Sequence, residues 1–146
     1  MGVFEKVLIT GEEILEYIPQ RTPIVMVDAF YGIDDRGQSR SGLTVRGENI
    51  FVADGVLDEC GIVEHIAQSA ALRAGYMSRS RGERVPLGYI GAVNDLKIRF
   101  LPPIGSRLVT TEVIEQRIMN VTLISARTEC DAKTVAECRM KIYLEE

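Results

Sequence analysis

Glu64 stands inside an apolar run, between Val63 and His65, and Gln68 lies one turn further along the same helical face, with Ala71 and Gly75 continuing that stripe. A carboxylate with an amide four residues on is a unit in which the amide orients one acid/base group. On a buried helix the carboxylate needs hydrogen bonds, a charge partner or a proton. At a helix rim it is simply solvated, and composition leaves both readings open. His65 and Ser69 form a second i, i+4 pair rotated about 100° from the first, so His65 and Glu64 do not converge on one pocket from the same helix. A lone histidine in such a setting packs, or sits at an interface, more often than it catalyses. Because His65 is the only histidine, mechanisms needing two are excluded within one chain. Cys60 precedes the helix, a position from which a thiol can react; a buried, inert cysteine is the commoner case.

Arg73, Arg79, Arg81 and Arg84 follow, with Glu83 the only acid among residues 73–84. This gives a local charge of +3 on a chain whose net charge is -4. Arginine presents a fork to phosphate oxygens, so Arg79, Arg81 and Arg84 form a candidate docking patch for an acidic or phosphorylated partner. The alternative is a solvated helix end whose cations suit the C-terminal dipole.

The elements that must hold these residues fit in one domain over residues 1–146. A chain of 146 residues, 46% hydrophobic and 26% charged, builds one core without a disulfide or metal staple. Its negative balance argues against a nucleic-acid or anionic-membrane partner held by bulk charge. Three cysteines without a C-x-x-C pair, no secretory pattern and no long apolar span point to a cytoplasmic protein with reduced thiols. No pattern calls for a metal or a cofactor.

Thr10 and the acidic turn after it predict a short helix ended by Pro19 and Pro23. Ile24–Tyr31 and a second run near Ser41 to Arg46, joined by a turn at residues 34–37, predict a hairpin. From about residue 58 to 77 the chain is apolar nearly all round a helix, which predicts burial. Ala67, Ala70, Ala71, Ala74 and Gly75 are small enough for other backbone, most simply a sheet, to approach. Leu96, Ile98 and Phe100 alternate with polar residues, as do Ala136, Cys138, Met140, Ile142 and Leu144, a period-two pattern of half-buried antiparallel strands. Strands over about residues 107–116 and 121–129 complete an α+β domain, one helix held against an antiparallel sheet.

With those residues in place, the sequence resembles the hot-dog-fold 3-hydroxyacyl-acyl-carrier-protein dehydratases. Residues 18–28 are similar to the family's L-P-H-R-x-P-F-L-L-V-D opening, residues 61–71 to its central-helix pattern, and residues 89–105 to the strand and turn that follow. The resemblance implies a hot-dog fold, a homodimer or higher homo-oligomer with acyl tunnels at the interface, and an acidic catalytic residue at Glu64 supported by Gln68. It assigns Gly61, Phe51 and Gly91 to the oxyanion and substrate-binding surface and an acyl carrier protein or acyl thioester as partner. In that family a histidine in a G-H-F-P-G loop removes the α-proton. Aligning Phe51 on the loop's Phe puts Ile50 at that histidine, Gln20 replaces the opening motif's His, and Gly61 stands three residues before Glu64 where the family glycine stands five before. Three functions follow: a dehydratase-like lyase of fatty acid or related lipid and polyene synthesis using Glu64, a thioesterase in which Glu64 activates water, and a non-catalytic subunit that binds acyl chains or carrier protein.

Overall fold

A computed structural model describes residues 6–145. Strand β1 (Ile9–Thr10) leads into a 3-10 turn (Gly11–Glu16), followed by β2 (Ala29–Ile33), β3 (Gln38–Thr44), the short hairpin β4 (Val52–Ala53) and β5 (Val56–Leu57), helix α1 (Glu59–Ser80), and long strands β6 (Leu87–Ile98), β7 (Arg107–Ile118), β8 (Val121–Cys130) and β9 (Lys133–Glu145). Seven strands form one antiparallel sheet in the order β1-β2-β3-β7-β8-β9-β6. The α+β class, the long helix and the strand run agree with the sequence reading.

Helix α1 begins where Asp58 caps it, its Oδ1 accepting from the Gly61 N–H at 2.8 Å. Its sheet-facing side buries Ile62, Ile66 and Ala70 against Leu108, Ile124 and Met140. A second cluster, Ile14, Ile18, Val27, Phe30 and Leu72, ties the 3-10 turn to the far side of the helix. Tyr76 stacks at a tilt on both Phe30 and Tyr17 there.

Three local expectations are corrected. The first turn is 3-10 rather than α, and the Thr10 hydroxyl donates to the Asp28 carbonyl instead of capping it. The predicted strand from Ile24 starts only at Ala29, because the Ile24 carbonyl and both Met26 backbone groups bond to helix side chains, and pairing with β3 begins with the Asp28 N–H on the Gly42 carbonyl. In β6 the phase slips between Asn94 and Lys97, with Asp95 at φ 54°, so Leu96 is exposed instead of inward and Phe100 lies beyond the strand. In β9 the alternation holds: Ala136, Cys138, Met140 and Ile142 are buried.

Candidate active site

The polar residues of α1 take the place of a strand partner for the segment before β2. The Gln68 amide is fully buried; its Oε1 accepts from the Met26 N–H at 2.6 Å, and its Nε2 donates to the Ile24 carbonyl at 2.8 Å and to Glu64 Oε2 at 2.7 Å. Both N–H donors of that amide and one lone pair of its oxygen are therefore committed, and its rigidity passes to the Glu64 carboxylate. Glu64 is half-buried and lines a cavity of about 280 Å³ with Gln20, Ala67, Ala71, Tyr89 and Ile90. The carboxylate thus meets open space while one oxygen is held from behind. An adjoining cavity of about 440 Å³ shares Ala70, Ala74, Pro86, Ile142 and Leu144 with the first and reaches Arg73, Arg81 and Arg117. The small-residue stripe mostly walls this space rather than admitting a sheet. At Gly75 backbone comes close, and it is the Tyr17 carbonyl just after the 3-10 turn.

His65 points away from this cavity. It is wholly buried, with Nδ1 2.6 Å from the Met26 carbonyl and Nε2 2.8 Å from Thr110 Oγ1. A carbonyl only accepts, so Nδ1 carries the proton and Nε2 accepts from the Thr110 hydroxyl, whose oxygen lies 2.6 Å from Thr128 Oγ1. Burial pushes the imidazole pKa down from 6.5 to about 4, against the opposing hydrogen bond to Met26. The unfolded chain therefore binds the extra proton between those values. Stability is fully present above pH 6.5 and falls as pH drops towards 4, by about 3 kcal/mol at most. Thermal melts are expected to show this acid slope flattened in His65→Gln; a slope unchanged by the substitution would exclude His65 as its origin.

Of the other expected site residues, Gly61 is buried at the helix start beneath Phe51 and Leu57, where an added Cβ would lie 2.6 Å from each side chain. Its N–H is held by Asp58, so a thioester carbonyl would have to displace the cap to reach it. Phe51 is half-buried in the loop preceding α1, and Ile50 beside it is exposed. Gly91 lies at a bulge of β6 with the Tyr143 ring directly over it, outside the residues lining the Glu64 cavity. The docking arginines lie at and beyond the end of α1: Arg79 is 3.6 Å from Glu16 and stacks over Tyr17, Arg81 pairs with Glu83, and Arg84 is exposed. The structure therefore brings Glu64 and Gln68 together and leaves Gly61, Gly91 and the arginines apart from them.

Two polar groups lie outside the expected site residues. Gln20 reaches the Glu64 cavity from the segment after the 3-10 turn, and its only signal is its place in the opening motif. Glu112 is buried on the inner face of β7 with neither carboxylate oxygen hydrogen-bonded to a described residue. Desolvation pushes its pKa well above the usual carboxylate range, and the Arg73 charge offsets only part of that. The inward phase of Leu108, Thr110 and Glu112 is the signal that could have found it.

Solved structures share this architecture. The dehydratase heterocomplex ApeI:P from Xenorhabdus doucetiae superposes with a TM-score of 0.84 at 18% identity, covering 91% of each chain. An uncharacterized protein from Pyrococcus horikoshii gives 0.63 at 16% identity, over 95% of this chain and 96% of that one. A hypothetical thioesterase from Streptococcus pneumoniae, solved with coenzyme A, gives 0.63 at 7% identity, over 80% and 84%. At these identities the likeness establishes the fold, and the chain is a hot-dog protein. Comparison with curated proteins returned no match. Residues 12–146 match the ApeP-like family, described as ApeP dehydratase, and the chain belongs to that family. Among the described residues no helix is long and apolar enough to cross a membrane.

Proposed function

We propose that this protein is a subunit of a 3-hydroxyacyl-thioester dehydratase in which Glu64 is the acid/base residue and Gln68 its positioning partner. The observation that carries the reading is the buried Gln68 amide, bound on both ends to backbone and holding Glu64 at the mouth of an apolar cavity. In the reaction a base removes a proton from C2, its electron pair becomes the C2–C3 double bond, and the C3–O bond breaks as the hydroxyl gains a proton and leaves as water. Glu64 supplies the proton to the hydroxyl, and the two adjoining cavities receive the acyl chain. Fixed groups of this kind are each worth about 10² to 10⁴ in rate.

The C2 proton needs a second base for full efficiency. His65 is enclosed and fully bonded, so neither copy in a homodimer would offer an accessible histidine. A second hot-dog subunit of different sequence, carrying the loop base, meets that need. The heterocomplex architecture of the Xenorhabdus doucetiae dehydratase supports this over a homodimer. Edge strand β6 offers it a surface, with Leu87, Tyr89, Ile90 and Leu96 between 40% and 55% exposed. The exposed Ile50, where a loop histidine is expected, favours a second reading, a non-catalytic acyl-binding subunit. Under either, Arg79, Arg81 and Arg84 serve as the docking patch for an acidic carrier protein.

Hydration of a crotonyl-pantetheine thioester, followed by loss of the enoyl ultraviolet absorbance, tests the reading. The chain alone is expected to turn over slowly and a reconstituted heterocomplex faster. Release of a free thiol with no hydration would replace the lyase with a thioesterase, and binding without either would leave the non-catalytic reading.

A further inference from the structure

The Glu64 cavity contains a second hydrogen-bond acceptor. Gln20 lines it, and Gln20 Oε1 is buried without a hydrogen-bond partner among the described residues. Buried acceptors are almost always paired, because an unpaired one forfeits its bond to water. The neighbouring walls give it no donor: Ala67, Ala71 and Ile90 are apolar, the Tyr89 hydroxyl donates to Glu145, and the Gln68 amide is spent on Ile24 and Glu64. Glu64 is likewise an acceptor only when ionised, and when protonated its single O–H is the one the reaction gives to the leaving hydroxyl. An occupant that leaves no polar group unpaired must therefore bring a donor to an otherwise apolar space.

We infer that Gln20 is a substrate-binding residue whose carbonyl receives the 3-hydroxyl hydrogen of the acyl group, so that the site selects 3-hydroxyacyl chains over saturated ones. The inference rests on the acyl-thioester reading above and names the substrate feature that the site recognises. A hydroxyl has one donor and two lone pairs. Donation to Gln20 Oε1 turns the lone pairs away from Gln20, which leaves one free to take a proton from Glu64 as the C3–O bond breaks.

Calorimetric titration of the full chain with hexanoyl- and 3-hydroxyhexanoyl-pantetheine amides tests this, since an amide in place of the thioester lowers C2 acidity and suppresses turnover. The hydroxylated probe is expected to bind about tenfold more tightly. Gln20→Met, similar in shape but without the acceptor, is expected to erase that preference, so that the two probes bind it with equal affinity. Gln20→Asn, which withdraws the carbonyl by one methylene, is expected to lose most of it. Binding of both probes with equal affinity by the wild type overturns the role of Gln20 and leaves the acyl-thioester reading standing, as does a preference that survives Gln20→Met. Binding of neither probe removes the acyl-thioester reading and this inference with it.

Discussion

Glu64→Gln is expected to lower turnover of a 3-hydroxyacyl thioester by about 10² to 10⁴, the range for losing one positioned acid/base group. The substituted amide keeps the shape and an oxygen for the Gln68 N–H, which in the wild type lies 2.7 Å from Glu64 Oε2. Substrate affinity is therefore expected to change little, so the loss falls on kcat rather than KM. The expectation is sharp because, among the described residues, Glu64 and Gln20 bring the only polar side chains, besides the Tyr89 hydroxyl that faces Glu145, to the cavity walls. Steady-state kinetics of the folded variant decide it. A kcat within twofold of wild type would remove Glu64 from the chemistry.

Gly75→Ala is expected to be the most damaging of the conservative substitutions for stability. A Cβ at that position would lie 1.8 Å from the Tyr17 carbonyl oxygen and 2.8 Å from its carbon. Both atoms are backbone, so no side chain can swing aside. Either α1 or the 3-10 segment must move, and with it the cluster of Ile14, Ile18, Phe30 and Leu72. Overpacking of this kind costs roughly 3 kcal/mol at the upper end of its usual range. For a chain of this size that corresponds to a fall of about 6 to 12 °C in melting temperature. Because Gln20 follows three residues after Tyr17, the displaced segment also carries one wall of the cavity away from Glu64. Circular dichroism melts measure the effect; a shift below about 1 °C would mean that the segment yields freely.

The strands and the helix were legible because their physics is periodic. In β9 the alternation of Ala136, Cys138, Met140 and Ile142 matches one buried face, and the apolar circumference expected over about residues 58–77 falls on the buried helix α1. The pairing of Glu64 with Gln68 was legible for the same reason, since residues four apart share a helical face. What periodicity cannot encode is a long-range substitution of one kind of partner for another. The run from Ile24 to Val27 has strand-like composition, yet its Ile24 carbonyl and both Met26 backbone groups are satisfied by Gln68 and His65, some forty positions away in the chain. The bulges in β6 likewise invert the face of Leu96 without any change in residue type. Small residues on α1 announced close approach, but the sequence does not distinguish a neighbouring backbone, as at Gly75, from a cavity, as at Ala67, Ala71 and Ala74. Gln20 and Glu112 were missed as buried polar groups because only tertiary packing strips water from them.

The proposed reaction of this hot-dog chain is the reversible removal of water from C3 of an acyl thioester. Incubation of a 3-hydroxyacyl carrier-protein thioester with the protein in heavy-oxygen water, followed by mass analysis of the acyl group, tests it most directly. A dehydratase expels the original hydroxyl and adds solvent water back, so heavy oxygen is expected to accumulate at C3 while the thioester stays intact, and to fail to do so with Glu64→Gln. A C3 hydroxyl that keeps its original oxygen with the wild-type protein, alone and in a heterocomplex, would contradict it.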